Sequence, residues 1–371
     1  RGLDLNALST LVTLDTADEH GAPVQLTGLH TPRADAKTLV VLIHGWEGSH
    51  DSSYLYGLAC TLYSAGHSIF RLNLRDHGST HHGLNEGMFH SARLAEVLGA
   101  IRQIHALDGA HKSLQVVGFS LGGNFALRVG LYGPAVGITP ALCIGISPAL
   151  NPGSTLRAID EGPAIINRYF LDKWRKTMDA KSRAFPQRYD FTPHRRLRNF
   201  TEITRAFVVD HTEYPDLDSY LGQYTLRAPQ LMASPTPLAI LTAEDDSVCP
   251  PADFAGLSAT HGVKHYVATP RGGHCGFIRS WNIFYGTAHF AVTIAMFSSG
   301  AKKSPAVKIA RRSRRSSAAR PGRSRCRASS VTSIPTRPPW ARRTTPRTSS
   351  ASATSPSVRV SPGAASPSMP A

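Results

Sequence analysis

Short apolar runs alternate with amphipathic stretches along the first 300 residues of the chain. The apolar runs lie at residues 38–43, 68–74, 114–117, 141–146, 238–242 and 266–268. Between two of them, residues 93–105 carry one apolar helical face, made of Leu94, Val97, Leu98, Ile101 and Ile104. Buried strands that alternate with amphipathic helices are typical of a parallel sheet covered by helices on both faces. The pattern therefore predicts an α/β fold.

Two departures from this alternation define the outline of the main domain, which we place at residues 1–300. Strands at 11–14 and 24–29, joined by the turn-prone segment 18–21, predict an antiparallel entry to the sheet. Residues 151–233 interrupt the alternation after the sixth core strand. An apolar residue at every fourth position there predicts a helix, at Ile166, Phe170, Trp174 and Met178. We expect a helical lid insertion, followed by an Arg-rich segment at 194–198.

The positive charge of the chain belongs to its last 71 residues. Residues 301–371 hold 16 of the 41 Lys and Arg residues and no Asp or Glu, so residues 1–300 have 25 basic and 25 acidic residues. This segment of Arg, Ser, Pro, Ala and Thr cannot bury a core and is predicted to be a disordered basic tail. A solvated extension or a wrong reading frame explains it more simply than the functional alternative, which is contact with nucleic acid or an anionic membrane.

The cysteines and the apolar segments indicate in which cellular compartment the protein is expected. Five cysteines without a CxxC pair suggest reduced thiols and a cytoplasmic protein. The apolar segment at 283–297 is too short for a membrane span, and no signal peptide is visible. Because the chain begins at Arg1 and not at Met, the expectation of a cytoplasmic location is conditional on what precedes it.

A GxSxG motif supplies the first candidate for chemistry. Residues 118–122 read Gly-Phe-Ser-Leu-Gly, with an apolar strand before them and a helix-like segment at 124–129 after them. This is the context of a nucleophile elbow, in which a strained turn exposes the serine hydroxyl. Gly118 and Gly122 are needed because side chains would collide across the bend. We predict Ser120 as the nucleophile.

A serine nucleophile needs a base and a group that orients the base. His274 lies in the glycine-rich segment 272–277 after the last predicted strand, which gives its side chain room to reach Ser120. Asp245 and Asp246 compete for the acid, since both follow the strand at 238–242. The proline four residues after Asp246 favours that residue, and Asp245 would then brace the turn. The chain order of serine, acid and histidine distinguishes α/β hydrolases from other serine enzymes.

The attack on a carbonyl group also needs donors for the oxyanion. The strand at 38–43 runs into His-Gly-Trp-Glu-Gly at 44–48, where we expect the backbone N–H of Trp46 to be one donor. The N–H of Leu121 is the second, at the start of a helix and helped by its dipole. The histidines of loop 75–82 suggest a metal, but they lack ligand spacing. We expect a loop that lines the cleft and holds no metal.

With these residues assembled, the sequence resembles the branch of α/β hydrolases that contains the bacterial YheT-like predicted hydrolases and the eukaryotic ABHD acylglycerol lipases and esterases. The resemblance covers residues 10–295 and rests on VVLIHGWEGS at 40–49, GFSLGGN at 118–124, RYFLDKW at 168–174, TAEDDSVCP at 242–250 and RGGHCGF at 271–277. It implies the α/β-hydrolase fold, acyl-ester hydrolysis without a cofactor, and triad roles for Ser120, Asp246 and His274. The 28-residue step from Asp246 to His274 also favours Asp246 over Asp245. Asp76 stands where relatives usually have Gly, in the loop that we expect to line the cleft.

The sequence thus predicts a serine hydrolase that cleaves a small-molecule acyl ester through an acyl-enzyme, as an esterase or an acylglycerol lipase-like enzyme. Two alternatives stay open. Acyl transfer to an alcohol or thiol would use the same three residues. A non-catalytic scaffold with a nucleic-acid-binding tail is the other, and the complete set of catalytic residues argues against it.

Overall fold

A computed structural model describes residues 3–78 and 82–277, together with the backbone of residues 358–361. Its strands are β1 (Thr10–Ala17), β2 (Pro23–Thr31), β3 (Thr38–Ile43), β4 (Ser68–Asn73), β5 (Ser113–Phe119), β6 (Leu142–Ile146), β7 (Leu238–Ala243), β8 (Val263–Thr269) and β9 (Val358–Ser361). Its α-helices are α1 (Ser53–Ser64), α2 (Ala95–Asp108), α3 (Leu121–Tyr132), α4 (Pro152–Glu161), α5 (Ala164–Ala184), α6 (Phe200–His211), α7 (Leu217–Gly222) and α8 (Ala228–Met232).

These strands form one sheet in the order β8-β7-β6-β5-β3-β4-β2-β1-β9. In the sheet, the strands β4, β3, β5, β6, β7 and β8 lie side by side in this order, and each is parallel to its neighbours in this group. Strand β2 is antiparallel to both β1 and β4. The predicted antiparallel entry and the predicted parallel core are therefore confirmed. Along the sheet, the strand order runs one way from β3 to β4 and the other way from β5 to β8, so it reverses between the central strands β3 and β5. The crevice at the carboxyl ends of the strands beside such a reversal is where parallel sheets bind their ligands.

Both faces of the sheet are buried, as the continuous apolar strands predicted. Along β3, Leu39, Val41 and Ile43 pack into the larger core on the side of α2 and α3. The alternate residues Val40 and Leu42 pack into a second core on the side of α1. The side-chain alternation of a strand thus serves two layers of helices at once.

The segment predicted as a lid insertion comprises helices α4 to α8, between β6 and β7. The stripe predicted on its long helix is one face of α5, where Trp174 and Met178 are buried and belong to the larger core. Asn151, Asn199 and Asp216 cap the N-termini of α4, α6 and α7 by accepting backbone N–H hydrogen bonds. These helices are packed onto the sheet domain and share its core.

The structure also bears on the predictions for the C-terminal part. Residues 358–361 form β9, which pairs antiparallel with β1 at one edge of the sheet, and the prediction of a disordered tail did not include this strand. The apolar segment 283–297 and the rest of 301–371 lie outside the described residues. Within the part of the chain that the structure describes, no helix has the length and apolarity to cross a membrane.

Candidate active site

Ser120 occupies a sharp turn between the end of β5 and the start of α3. Its φ of 53° and ψ of −118° lie in a region that non-glycine residues rarely adopt. A side chain at Gly118 would overlap the Gly122 carbonyl group, and one at Gly122 would overlap the carbonyl groups of Ile43 and His44. The two glycines of the motif therefore let the turn close against β3, and the turn presents the serine side chain at the crevice.

The structure brings Ser120, His274 and Asp246 into one chain of hydrogen bonds. His274 Nε2 lies 2.9 Å from Ser120 Oγ, and His274 Nδ1 lies 3.0 Å from Asp246 Oδ2. A carboxylate only accepts, so Nδ1 carries the proton and Nε2 presents its lone pair to the serine hydroxyl. This is the geometry that a serine nucleophile and its general base require.

The two aspartates that competed in the sequence have different contacts. Asp246 is buried, and its Oδ1 also accepts the backbone N–H groups of Val248 and Cys249 at 2.9 Å each. Asp245 instead accepts the N–H groups of Gly272 and Gly273, at 2.8 and 2.7 Å. Asp246 thus orients the imidazole of His274, while Asp245 holds the loop that carries this histidine.

The pKa of His274 lies well above its usual value. Burial has the largest influence and lowers it, whereas the hydrogen bond to Asp246 raises it, as does negative charge on Cys275 and Cys249 once these thiols have lost their protons. Burial also raises the pKa of the Cys249 thiol, so this thiol is uncharged near neutral pH and the carboxylate is the partner that stabilises a charged imidazole. The site is therefore suited to hold a proton on His274 in the course of a reaction.

The segment after β3 approaches Ser120 through a glycine. An added Cβ on Gly45 would lie 3.3 Å from Ser120 Cβ and 3.4 Å from the Phe119 carbonyl oxygen. The Gly45 N–H donates to the Tyr54 hydroxyl at 2.9 Å. Among the hydrogen bonds of the described residues, the N–H groups of Trp46 and Leu121 donate none. Both predicted oxyanion donors are therefore available to a ligand beside the serine.

A buried histidine fixes this segment. His44 Nε2 accepts the Leu74 N–H at 3.2 Å, so the proton is on Nδ1, which donates to the Gly45 carbonyl oxygen at 2.7 Å. Sequence reasoning treated His44 only as part of the HGxxG pattern. Its position directly after a buried strand was the signal for a structural role.

The predicted apolar stripe of α5 covers the Trp46 side chain. The indole stacks on Phe170 with ring centroids 5.4 Å apart, and it meets Trp174 and Phe200 edge-on at 5.6 and 5.2 Å. Aromatic pairs in these arrangements attract beyond the area that they bury. The inserted helices and the segment of the predicted oxyanion donor are thus one packed unit.

Glu47, next to Trp46, is a residue that sequence reasoning missed. It has a positive φ of 54°, and its carboxylate accepts the Thr177 hydroxyl at 2.7 Å. Burial raises the pKa of Glu47 to about 7, against the opposing influence of Thr177 and Lys173. The variable positions of an HGxxG pattern carry no signal for this contact with α5.

The Asp76 position that departs from the relatives is explained by the structure. Asp76 has a φ of 59°, in the left-handed region where Gly is the default residue. Its carboxylate accepts the Phe89 N–H at 2.8 Å and lies 2.9 Å from Lys181 Nζ of α5. At this position the chain therefore has a buried ion pair that joins the loop after β4 to α5.

Two groups of side chains in the described part of the chain could hold a metal ion. One is His194, Asp210 and His211 in the insertion, and the other is Asp246, Cys249 and His274, with ligand atoms in each group within 4.8 Å of one another. The second group is the hydrogen-bonded site itself. Neither group includes a histidine of loop 75–82, whose residues 79–81 lie outside the described residues.

A cavity opens beside Ser120 and Leu121 under the inserted helices. It encloses about 690 Å³ of empty space, its open mouth included. Most of its walls are apolar or aromatic, with contributions from Trp46, Phe89, Ala149, Pro152, Leu156, Ile159, Phe170, Trp174, Phe200, Phe207 and Val248. Its mostly apolar lining, with the Ser120 hydroxyl among the few polar groups, is typical of a small-molecule site.

The chain is similar to known hydrolases in sequence and in structure. It is 24% identical over 252 residues to "Putative esterase YheT" of Escherichia coli (strain K12), which covers 66% of this chain and 72% of that protein. The Pyrococcus furiosus esterase Pf2001 matches with a TM-score of 0.50 at 14% identity, over 77% of this chain and 88% of that one. Mouse alpha/beta hydrolase domain-containing protein 10 matches with a TM-score of 0.45 at 15% identity, over 74% and 94%.

Residues 40–281 match the profile of the alpha/beta hydrolase family. The matched range runs from β3 through the last described loop, so it contains both central strands and all three residues of the hydrogen-bonded site. The resemblance seen in the motifs is confirmed by this match. The chain belongs to the alpha/beta hydrolase family.

Proposed function

We propose that the protein is a serine hydrolase that cleaves carboxylic esters through an acyl-enzyme. The observation that carries the proposal is the unbroken contact from Asp246 through His274 to Ser120, at 3.0 and 2.9 Å. No other serine of the described residues combines a strained turn, a histidine in hydrogen-bond contact and free backbone donors beside it. A nucleophile, a base and an orienting carboxylate are the parts that acyl transfer needs.

In the first half of the reaction, Ser120 Oγ attacks the ester carbonyl carbon while its proton passes to His274 Nε2. The carbonyl oxygen becomes an oxyanion, which accepts hydrogen bonds from the N–H groups of Trp46 and Leu121. His274 then gives the proton to the alkoxide oxygen as the carbon–oxygen bond breaks. The alcohol leaves, and the acyl group stays bound to Ser120.

In the second half, water replaces the alcohol. The water oxygen attacks the acyl carbon while His274 Nε2 takes a proton from the water. His274 then returns this proton to Ser120 Oγ as the bond between Oγ and the acyl carbon breaks. Asp246 stabilises the imidazolium in both halves without leaving its backbone donors. The products are a carboxylic acid and the regenerated serine.

The cavity under the insertion supports an acyl substrate. Ser120 and Leu121 belong to its lining, so an acyl chain bound in it can bring its carbonyl group to the nucleophile. Apolar walls favour a hydrocarbon stem over a charged one, because burial of such a stem is favourable by about 0.8 kcal/mol per CH₂. The relative named an esterase also favours this chemistry. An acylglycerol lipase-like activity is the finer form of the proposal.

The proposal is tested by steady-state and rapid-mixing kinetics on a p-nitrophenyl ester series. We expect saturable turnover and a burst of p-nitrophenol close to one per protein when deacylation is the slower half. Added methanol or a thiol, with analysis of the acyl product, separates hydrolysis from acyl transfer. Turnover that Ser120→Ala leaves unchanged would rule out the proposed nucleophile.

A further inference from the structure

Three metal-ligating side chains of the insertion lie together at the C-terminal end of α6. Asp210 and His211 are the last two residues of this helix, and His194 belongs to the 3₁₀-helix Pro193–Arg196. One donor atom from each of the three residues lies within 4.8 Å of the other two. Two imidazoles and a carboxylate are ligands that zinc takes in proteins. None of these residues takes part in the proposed ester hydrolysis.

His194 is the buried member of the group, with 3% of its surface exposed. Its Nε2 lies 3.1 Å from Asp210 Oδ2, but neither ring nitrogen has a hydrogen bond to a described residue. The carboxylate oxygen is therefore close to Nε2 without lying where a ring N–H would point. Two ligands of one ion have this relation, because both point at the ion and not at each other. With zinc bonds of about 2.0–2.1 Å, neighbouring ligand atoms of a tetrahedral site are about 3.3 Å apart.

The second histidine of the group is packed near the first. The ring centroids of His194 and His211 are 5.7 Å apart, and two imidazoles on one tetrahedral zinc ion have centroids about 5 Å apart. His211 Nε2 is also buried and has no hydrogen bond to a residue that the structure describes. The Phe191 ring lies against both imidazoles, with centroid distances of 5.5 Å to His194 and 4.7 Å to His211. Packing thus holds the two histidines close together without an ion.

The carboxylate of the group is available to a cation. The neighbouring Arg195 pairs with Asp179 at 2.6 Å and not with Asp210. Among the ion pairs of the described residues, Asp210 has only the contact with His194. Its side chain is 52% exposed, which gives an ion and a coordinated water molecule access to the group from solvent.

We propose that His194, Asp210 and His211 bind a zinc ion, with a fourth position open to water. Imidazole nitrogens favour zinc over magnesium and calcium, which take oxygen ligands. The ion joins the 3₁₀-helix Pro193–Arg196 to α6, one of the helices that line the cavity beside Ser120. Because the three residues come together only in the folded chain, zinc stabilises the folded state.

Titration of the tag-free, chelator-treated full chain with zinc chloride tests the site. We expect one ion per chain at saturation and a melting temperature that rises with the zinc concentration. X-ray absorption at the zinc edge should show nitrogen and oxygen ligands at about 2.0–2.1 Å and no sulfur at about 2.3 Å. A sulfur ligand would assign the ion to Asp246, Cys249 and His274 and overturn the proposal, as would the absence of stoichiometric binding.

Variants assign the ion to these side chains. His211→Phe keeps a ring against Phe191 and removes the donor atoms, and Asp210→Asn changes a half-exposed position with little effect on packing. His211→Phe should weaken zinc binding by about a hundredfold or more, because loss of a group that only supports a ligand already costs about ten- to a hundredfold. Asp210→Asn should weaken it by at least about tenfold. Asp218→Asn, an exposed aspartate of α7, is the matched control and should bind zinc as the wild type does.

The zinc affinities of these variants, with thermal melts as a check of folding, do not depend on ester turnover. Wild-type affinity in both His211→Phe and Asp210→Asn would overturn the proposal. An equal loss of affinity in Asp210→Asn and Asp218→Asn would also contradict it, since surface charge alone would then account for the binding.

Discussion

The Lys181 ammonium group lies 2.9 Å from the Asp76 carboxylate, and neither side chain is exposed to solvent. The pair joins α5 of the insertion to the loop after β4. Lys181 Nζ also donates to the carbonyl oxygens of His82 and Asn85. Burial raises the pKa of Asp76 and lowers that of Lys181, because it disfavours both charged forms, and their mutual attraction opposes it. The inserted helices are thus attached to the sheet domain by a charge pair that depends on both partners.

Removal of the Lys181 ammonium group should therefore lower the stability of the folded protein strongly. Lys181→Met leaves the Asp76 carboxylate buried without its partner, and we expect the free energy of unfolding to fall by about 3–5 kcal/mol. Urea unfolding followed by circular dichroism measures the loss. The matched control is Lys176→Met, an exposed lysine of the same helix, with an expected change within about 0.5 kcal/mol. Similar losses in the two variants would show that the ion pair has no special weight.

The partly buried Glu47 should make stability depend on pH. Its folded pKa of about 7 lies above its usual value of 4.5, so the folded state binds this proton more tightly than the unfolded state. The resulting stabilisation is complete below about pH 4.5 and is lost as the pH rises through 7. Glu47→Gln keeps an acceptor for Thr177 and has no charge.

The free energy of unfolding of Glu47→Gln, measured relative to that of the wild type, should be about 1–2 kcal/mol larger at pH 8 than at pH 5. Partial exposure of the Glu47 side chain keeps this difference below the full effect of the pKa shift. Unfolding by urea at the two pH values gives the difference. A difference between variant and wild type that is the same at both pH values would exclude a raised pKa for Glu47.

The two aspartates of the loop after β7 should differ in their effect on catalysis. Asp246→Asn removes the carboxylate that holds His274 Nδ1–H, and we expect turnover to fall by roughly ten-thousandfold, as in other triads. Asp245→Asn keeps an oxygen for the N–H groups of Gly272 and Gly273, so its effect should be far smaller. Ester turnover by the two purified proteins, with circular dichroism as a check of folding, decides the order. The reverse order would mean that the acid is Asp245.

The pKa of His274 predicts the acid limb of the pH profile. General base catalysis needs neutral His274, so kcat/KM should rise with pH until that group has lost its proton, with a midpoint above the usual histidine value. Asp246→Asn should move the midpoint to lower pH, because the hydrogen bond that favours the charged ring is gone. An unchanged midpoint in this variant would show that the acid limb of the pH profile does not arise from the His274–Asp246 pair.

The contact between Trp46 and Phe170 should affect the chemical step. Phe170→Ala removes the ring stacked on Trp46 and loosens the segment whose N–H is a proposed oxyanion donor. We expect kcat to fall by about ten- to a hundredfold, less than the loss of a donor itself. Ile165→Ala, an exposed position of the same helix, is the control and should change little. Kinetics on a short p-nitrophenyl ester compare the two variants.

Local patterns were sufficient to predict much of this architecture. The residues of β3 alternate between two buried layers, so the strand was visible as a continuous apolar run. The turn at Ser120 was visible because its glycines are required by contacts within five residues and with the adjacent strand. Asp245 is the neighbour of Asp246 and follows the same strand, so the choice of Asp246 rested on the proline four residues after it and on the resemblance.

Other features depend on contacts between distant parts of the chain and left no local signal. Lys181 and Asp76 are separated by 105 positions, and Glu47 and Thr177 by 130. An apolar face on α5 showed that the helix packs against something, but the partner Trp46 could be identified only in three dimensions. The four residues of β9 lie in a segment whose composition predicts no core, and their pairing with β1 uses backbone groups, which composition does not reveal.

The most direct test of the central claim is covalent labelling with a fluorophosphonate probe, read by intact mass and peptide mapping. The wild type should gain one phosphonyl group, mapped to Ser120, because His274 and Asp246 activate only that hydroxyl. Ser120→Ala should not be labelled, and His274→Ala should be labelled far more slowly while remaining folded. Labelling of Ser120→Ala at the wild-type rate, or of another serine in the wild type, would contradict the account.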